Sequence, residues 1–171
     1  MRRRHPPIPR LWLMTDERMG EALWTALERL PRGSGVVFRH HATPAGERVA
    51  LLRNITKLAQ RRGLVLVASR GRGANVHNVR RTRPGGLQTA AAHNRAEAIR
   101  AIRGGADALF VSPVFATRSH AGARPLGRVR FGLLVRGLGV PVIALGGMTQ
   151  KRARSLGSFG IHGWAAIDAW L

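Results

Sequence analysis

The chain has 171 residues and carries 29 basic against 8 acidic side chains, a formal net charge of +21 at pH 7. That length suits one domain rather than two, and 44% apolar residues suffice to bury a core, which excludes a disordered polycation. Cys is absent, excluding disulfides, thiolate metal sites and cysteine nucleophiles, and no run approaches the roughly 18 uncharged apolar residues of a membrane-spanning helix.

Residues 1–10 read as a basic N-terminal arm ahead of a single domain over 11–171. The apolar stretch after the arm is broken by Asp16 and Glu17, too soon for a signal peptide, so the expected location is the cytoplasm. Residues 11–15 are the first strand-like run. A helix over 21–30 follows, with Leu23, Leu27 and Leu30 on one face and Pro31 to stop it. The second run, 35–39, ends in Arg39, His40 and His41. No third imidazole or carboxylate lies at ligand spacing, so the two histidines read as solvated loop residues. The next helix takes Thr43 as N-cap and Pro44 as first helical residue, buries Leu51, Ile55 and Leu58, and ends at Gly63.

Runs at 64–68, 75–77 and 87–93 come next, and the Gly- and Arg-rich stretch over 69–86 accommodates no proper helix. Asn94 and Glu97 have capping-box spacing, opening a helix whose Ile99 and Ile102 face inward and which Gly104 closes. Residues 108–115 are the sixth run and 127–138 a glycine-interrupted helical segment. The seventh run, 141–145, leads to a short helix over 149–156 and then to the eighth run, 164–167, which leaves no residues for an eighth helix. Nearly continuous apolar runs alternating with helices predict parallel strands covered on both faces. The fold class is therefore α/β: a shortened (β/α)8 TIM-type barrel with helix 3 and helix 8 reduced or missing. An open dinucleotide-binding sheet fits less well, because Gly71-Arg-Gly73 lacks a third glycine and a following helix.

In such a barrel the C-terminal strand ends carry the chemistry. Gly146 and Gly147 would let backbone amides approach an anion ahead of the helix capped by Thr149. Thr117, Arg118, Ser119 and His120 concentrate donors in one loop. The charge favours small anions such as phosphates. It argues less for a nucleic-acid partner: only Lys57 and Lys151 of the 29 cations are Lys, the arginines are scattered, and Phe and Trp do not interleave with them as a stacking platform. Trp164 and Trp170 read as packing groups.

Taken together, these strings resemble the thiamine-phosphate synthase/TenI family. Leu11-Trp-Leu-Met-Thr-Asp16 is similar to its opening strand, residues 35–41 to its second, and Ala92-His93-Asn94 with Gly104-Gly-Ala-Asp107 to its approach to strand six. Ser112-Pro-Val-Phe-Ala-Thr117 resembles the Gly-Pro-Val-Phe-Pro-Thr signature, and Pro141-Val-Ile-Ala-Leu-Gly-Gly-Met148 the phosphate-side strand seven. The resemblance implies a barrel that binds phosphorylated thiamine precursors. There an aminopyrimidine diphosphate ionises, pyrophosphate leaves with Mg2+ assistance, and the thiazole phosphate nitrogen captures the cation. It puts Arg39 toward the diphosphate and Thr117, Gly146 and Gly147 on the phosphate side.

The match has departures. Val37 and His41 stand for the family's Gln and Lys, Ala68-Ser69 for its Asn-Asp, and Ala91 for a Ser. His120 stands for a Lys and Asp168 for a Ser, and Val76-His-Asn-Val-Arg-Arg-Thr82 lacks the second metal aspartate. Pro113 occupies the position of the tautomerase histidine in TenI-type relatives. Mg2+ is thus implied by the resemblance and unsupported by the residues. Guanidinium groups can pair a diphosphate bidentately in its place. The candidate catalytic residues are accordingly Arg39, His41 and His120, and the candidate phosphate-binding residues Thr117, Arg118, Arg124, Gly146 and Gly147. The alternative functions are a non-catalytic phosphate-ligand sensor and an Arg-rich nucleic-acid binder. Without an eighth helix the seam between the last strand and the first should expose apolar surface, so a homodimer or a patch covered by the N-terminal arm is expected.

Overall fold

A computed structural model describes residues 5–69, 75–78, 85–117, 122 and 124–170. The apolar runs become eight strands: β1 (Leu11–Met14), β2 (Gly35–Phe38), β3 (Val65–Ser69), β4 (Val76–His77), β5 (Gln88–Ala92), β6 (Ala108–Val111), β7 (Val142–Leu145) and β8 (Gly163–Ala166). They pair in parallel in chain order, and β8 returns to β1, closing the barrel. Among the described residues there are five α-helices: α1 (Ala22–Arg29), α2 (Ala45–Arg62), α3 (Arg95–Arg103), α4 (Gly127–Val135) and α5 (Gln150–Ser155). None of these lies between β3 and β5, and the described residues after β8 include a 3-10 turn, Asp168–Trp170.

α1 buries Leu23 and Leu27, and the chain leaves the helix at Leu30 ahead of Pro31. α2 starts one residue later than the sequence suggests. Pro44 stays extended at ψ 145°, so it, and not Thr43, is the N-cap, and its carbonyl accepts the first helical bond from Arg48 N–H at 2.8 Å. Gly63 ends α2 in the left-handed conformation. Asn94 caps α3 by accepting Glu97 N–H at 2.9 Å, while the Glu97 carboxylate takes His93 N–H at 2.8 Å. The inward face of α3 differs in part from expectation: Ile102 packs against the core, but Ile99 is 36% exposed and Ala98 is fully buried. A small side chain is what a helix lying close on β5 can accept there.

The barrel interior is filled by a column of rings. Trp12 meets Phe110 edge-on at 5.1 Å, and Phe110 meets His77 edge-on at 5.3 Å. Gly35 makes room for this column, because a Cβ there would fall 2.1 Å from the Trp12 ring. The floor is closed by the described part of the N-terminal arm. Pro9 accepts the Trp12 indole N–H at 2.7 Å, Arg10 accepts Trp164 N–H at 2.8 Å, and His162 Nε2–H donates to the Ile8 carbonyl at 2.8 Å. At the β8–β1 seam, Trp170 stacks on Trp164 at 5.6 Å and donates its indole N–H to the Trp12 carbonyl at 3.2 Å. It takes part of the place of an eighth helix, beside a groove lined by Leu11, Pro31 and Trp164. No helix among the described residues is long and apolar enough to cross a membrane.

Candidate functional site

Eight parallel strands deliver all their C-terminal ends to one mouth. A small cavity of about 50 Å³ opens there against the ends of β6, β7 and β8, lined among others by Ser112, Thr117, Gly146, Gly147 and Asp168, with Arg39 reaching it from β2. The Gly146–Gly147 pair has a packing reason beyond anion approach. Both have positive φ, +96° and +58°, and a Cβ would fall 2.7 Å from Pro113 Cα and 2.4 Å from the Ala116 carbonyl. Only glycine lets the loop after β6 lie this close on the loop after β7. That contact is bonded, with Val114 N–H on Leu145 O at 2.9 Å and Phe115 N–H on Gly146 O at 3.1 Å. Arg152 fastens it from α5, donating to the Gly147 carbonyl and lying over the Phe115 ring at 4.9 Å.

Arg39 is held on two sides. Its backbone N–H donates to Thr15 Oγ1 at 3.0 Å, and its guanidinium reaches Asp16 Oδ2 at 3.3 Å. Asp16, only 8% exposed, also takes Arg18 Nε–H at 2.7 Å. The Arg18 hydrogen bond lowers the Asp16 pKa, with burial opposing and the Arg39 charge assisting. Asp16 is therefore a charged anchor for two guanidinium groups at the rim.

The adjacent histidines differ from each other. His41 is exposed, its Nε2 3.5 Å from Ser69 Oγ. His40, expected to be solvated, is buried: it stacks on Phe38 at 5.0 Å, and its Nδ1 lies 3.0 Å from Thr15 Oγ1. Since that hydroxyl oxygen accepts Arg39 N–H, its own proton is available to a neutral His40, the state that burial favours by lowering the pKa. Arg48 covers the other side of this corner, lying over Phe38 at 4.9 Å and donating to the His40 carbonyl at 3.0 Å.

His77 tops the interior column directly beneath this rim. Its Nδ1 shares a hydrogen bond with Thr89 Oγ1 at 2.9 Å. Burial, aided by the charges of Arg39 and His41, pushes its pKa down to about 4. A neutral imidazole thus stands at a position marked in the sequence by nothing more than a histidine in a short apolar run.

Of the other sequence candidates, Thr117 lines the cavity, whereas Arg124 is exposed and outside it. Arg118 and His120 lie outside the described residues. Asp168 stands in the cavity wall, and its charge is felt by the Arg18 guanidinium. His93 shares its Nδ1 with Glu97 at 2.8 Å and belongs to the α3 cap.

The donor set does not suit Mg2+, which is normally held through one or two carboxylates together with ligand phosphates. No Asp or Glu occurs between Glu47 and Glu97, the segment that contains β3, β4 and β5. No group of three or more metal-binding side chains occurs among the described residues. Asp16 already serves two guanidinium groups.

Comparison with known proteins gives matches in sequence and in fold. The family model described as thiamine monophosphate synthase matches residues 71–170. A thiamine-phosphate synthase from Chloroflexus aurantiacus is 37% identical over 79 residues, covering 46% of this chain and 37% of that protein's length. A putative thiamine-phosphate synthase 2 from Aquifex aeolicus is 28% identical over 183 aligned positions, covering 96% of this chain and 98% of its own. The solved structure of thiamine phosphate pyrophosphorylase from Pyrococcus furiosus superposes with a TM-score of 0.75 at 22% identity, covering 94% of this chain and 86% of that one, a likeness of fold.

Proposed function

Because the chain belongs to the thiamine monophosphate synthase family, we propose that it binds phosphorylated thiamine precursors at the C-terminal mouth and joins an aminopyrimidine diphosphate to a thiazole phosphate. The observation that carries this reading is the small cavity that combines Arg39, Thr117 and the Gly146–Gly147 turn. A thiazole phosphate seats its phosphoryl group against Thr117 and the glycine turn. Its nitrogen then faces the barrel axis, while Arg39 and His41 on the β2 side hold the diphosphate. When the carbon–oxygen bond to the diphosphate breaks, the bonding pair leaves with pyrophosphate, and the thiazole nitrogen donates its pair to the resulting carbon cation. Arg39 stabilises the negative charge that grows on the leaving group. The same reading puts the protein in the cytoplasm, with the groove at the β8–β1 seam covered either by a second copy in a homodimer or by the N-terminal arm.

Two observations favour a second reading, a barrel that binds such ligands without turnover: the carboxylate-free segment between Glu47 and Glu97, and Asp168 in the cavity wall. Formation of thiamine phosphate from the two precursors by purified protein separates them. Turnover lowered at least about tenfold by Arg39→Gln supports the enzyme. Thiazole phosphate binding with no product supports the binding barrel, and neither binding nor product rejects both.

A further inference from the structure

We propose that this mouth holds its phosphorylated ligand without a divalent cation, its positive charge coming from guanidinium groups gathered by Asp16. The inference rests on the ligand class argued above and concerns how that ligand's charge is balanced. Three structural facts carry it. First, β3 ends in Ser69, whose carbonyl accepts Arg48, and β4 brings up His77, which shares its Nδ1 with Thr89. Neither strand end offers a carboxylate. Second, the buried carboxylate at the rim, Asp16, is taken by Arg18 at 2.7 Å and Arg39 at 3.3 Å. A cation entering there would have to displace two guanidinium groups, which outnumber the carboxylate and leave one positive charge at the rim for a phosphate. Third, Arg39 lies both on Asp16 and in the cavity lining, so a phosphate oxygen can replace one of its partners without a large movement.

Asp168 makes the proposal decidable. It stands in the cavity wall, where a carboxylate either repels the ligand or bridges to it through a metal. Without a cation its effect is repulsion, softened by Arg18, whose guanidinium feels its charge. The test is calorimetric titration of the whole protein with inorganic pyrophosphate, in EDTA and in excess Mg2+, for the native chain and for Asp168→Asn and Arg39→Gln.

The native chain should bind pyrophosphate at least as tightly in EDTA as in Mg2+. Asp168→Asn should bind about threefold tighter in both conditions, and Arg39→Gln about tenfold weaker with an unchanged circular dichroism spectrum. Binding that requires Mg2+, or that Asp168→Asn abolishes, overturns the proposal. So does absence of pyrophosphate binding under both conditions. In each overturning case, retained binding of thiazole phosphate leaves the proposed function standing, and its loss removes that too. A second readout needs no variant: Mn2+ added with pyrophosphate should show no protein-bound fraction by electron paramagnetic resonance.

Discussion

An imidazole sealed inside a barrel takes up a proton less readily than one in water, and His77 carries that cost into the stability of the protein. Its ordinary value of 6.5 is pushed down to about 4 by burial, with Arg39 and His41 adding repulsion. Between these values the unfolded chain binds a proton that the folded chain refuses. The contribution of His77 to stability is therefore complete above pH 6.5 and is lost as pH falls toward 4. Urea denaturation across this window should show stability falling by up to about 1.4 kcal/mol per pH unit from this group. His77→Gln should remove that part of the slope and leave the part due to His40, which burial lowers in the same direction. An unchanged slope in the variant would mean that His77 is reached by water in the folded state.

At the scale of elements, the contact between the loops after β6 and β7 depends on the absence of a side chain. Gly147→Ala would place a methyl group 2.4 Å from the Ala116 carbonyl at a φ of +58°, and should cost about 1–3 kcal/mol in denaturant unfolding. It should also weaken thiazole phosphate binding, because the same turn lines the cavity. Elements of this kind were readable in advance to different degrees. The eight strands stand out because a strand covered on both faces is apolar along its whole length. Arg39 and the glycine pair stand out because they sit at strand ends. The inward face of α3 was legible only in part: Ile102 packs against the core as expected, whereas Ile99 is exposed and close approach to the sheet selects Ala98. The anchoring of Arg39 by Asp16, the pairing of His77 with Thr89 and the stacking of Arg152 on Phe115 join residues distant in sequence, and no local spacing announces them.

For the whole molecule, closure of the barrel matters more than the number of helices around it. Trp170 covers part of the seam where an eighth helix would lie, and Ile8, Pro9 and Arg10 of the arm close the floor. A closed ring of strands has no edge, so it yields where its stave is narrowest. Among the described residues that stave is β4, whose strand ladder pairs Val76 and His77 with Ala68 and Ser69 of β3 and with Gln88 and Thr89 of β5, with Asn75 and Asn78 bonding to the same neighbours at its two ends. Opening should begin there, and amide deuterium uptake at Val76 and His77 should outrun that of β6 and β7 under native conditions. Equal protection all round the ring would show that the barrel opens only as a unit. Because the inner ring column ends in His77, this thin stave is also the route by which water would first wet the barrel axis.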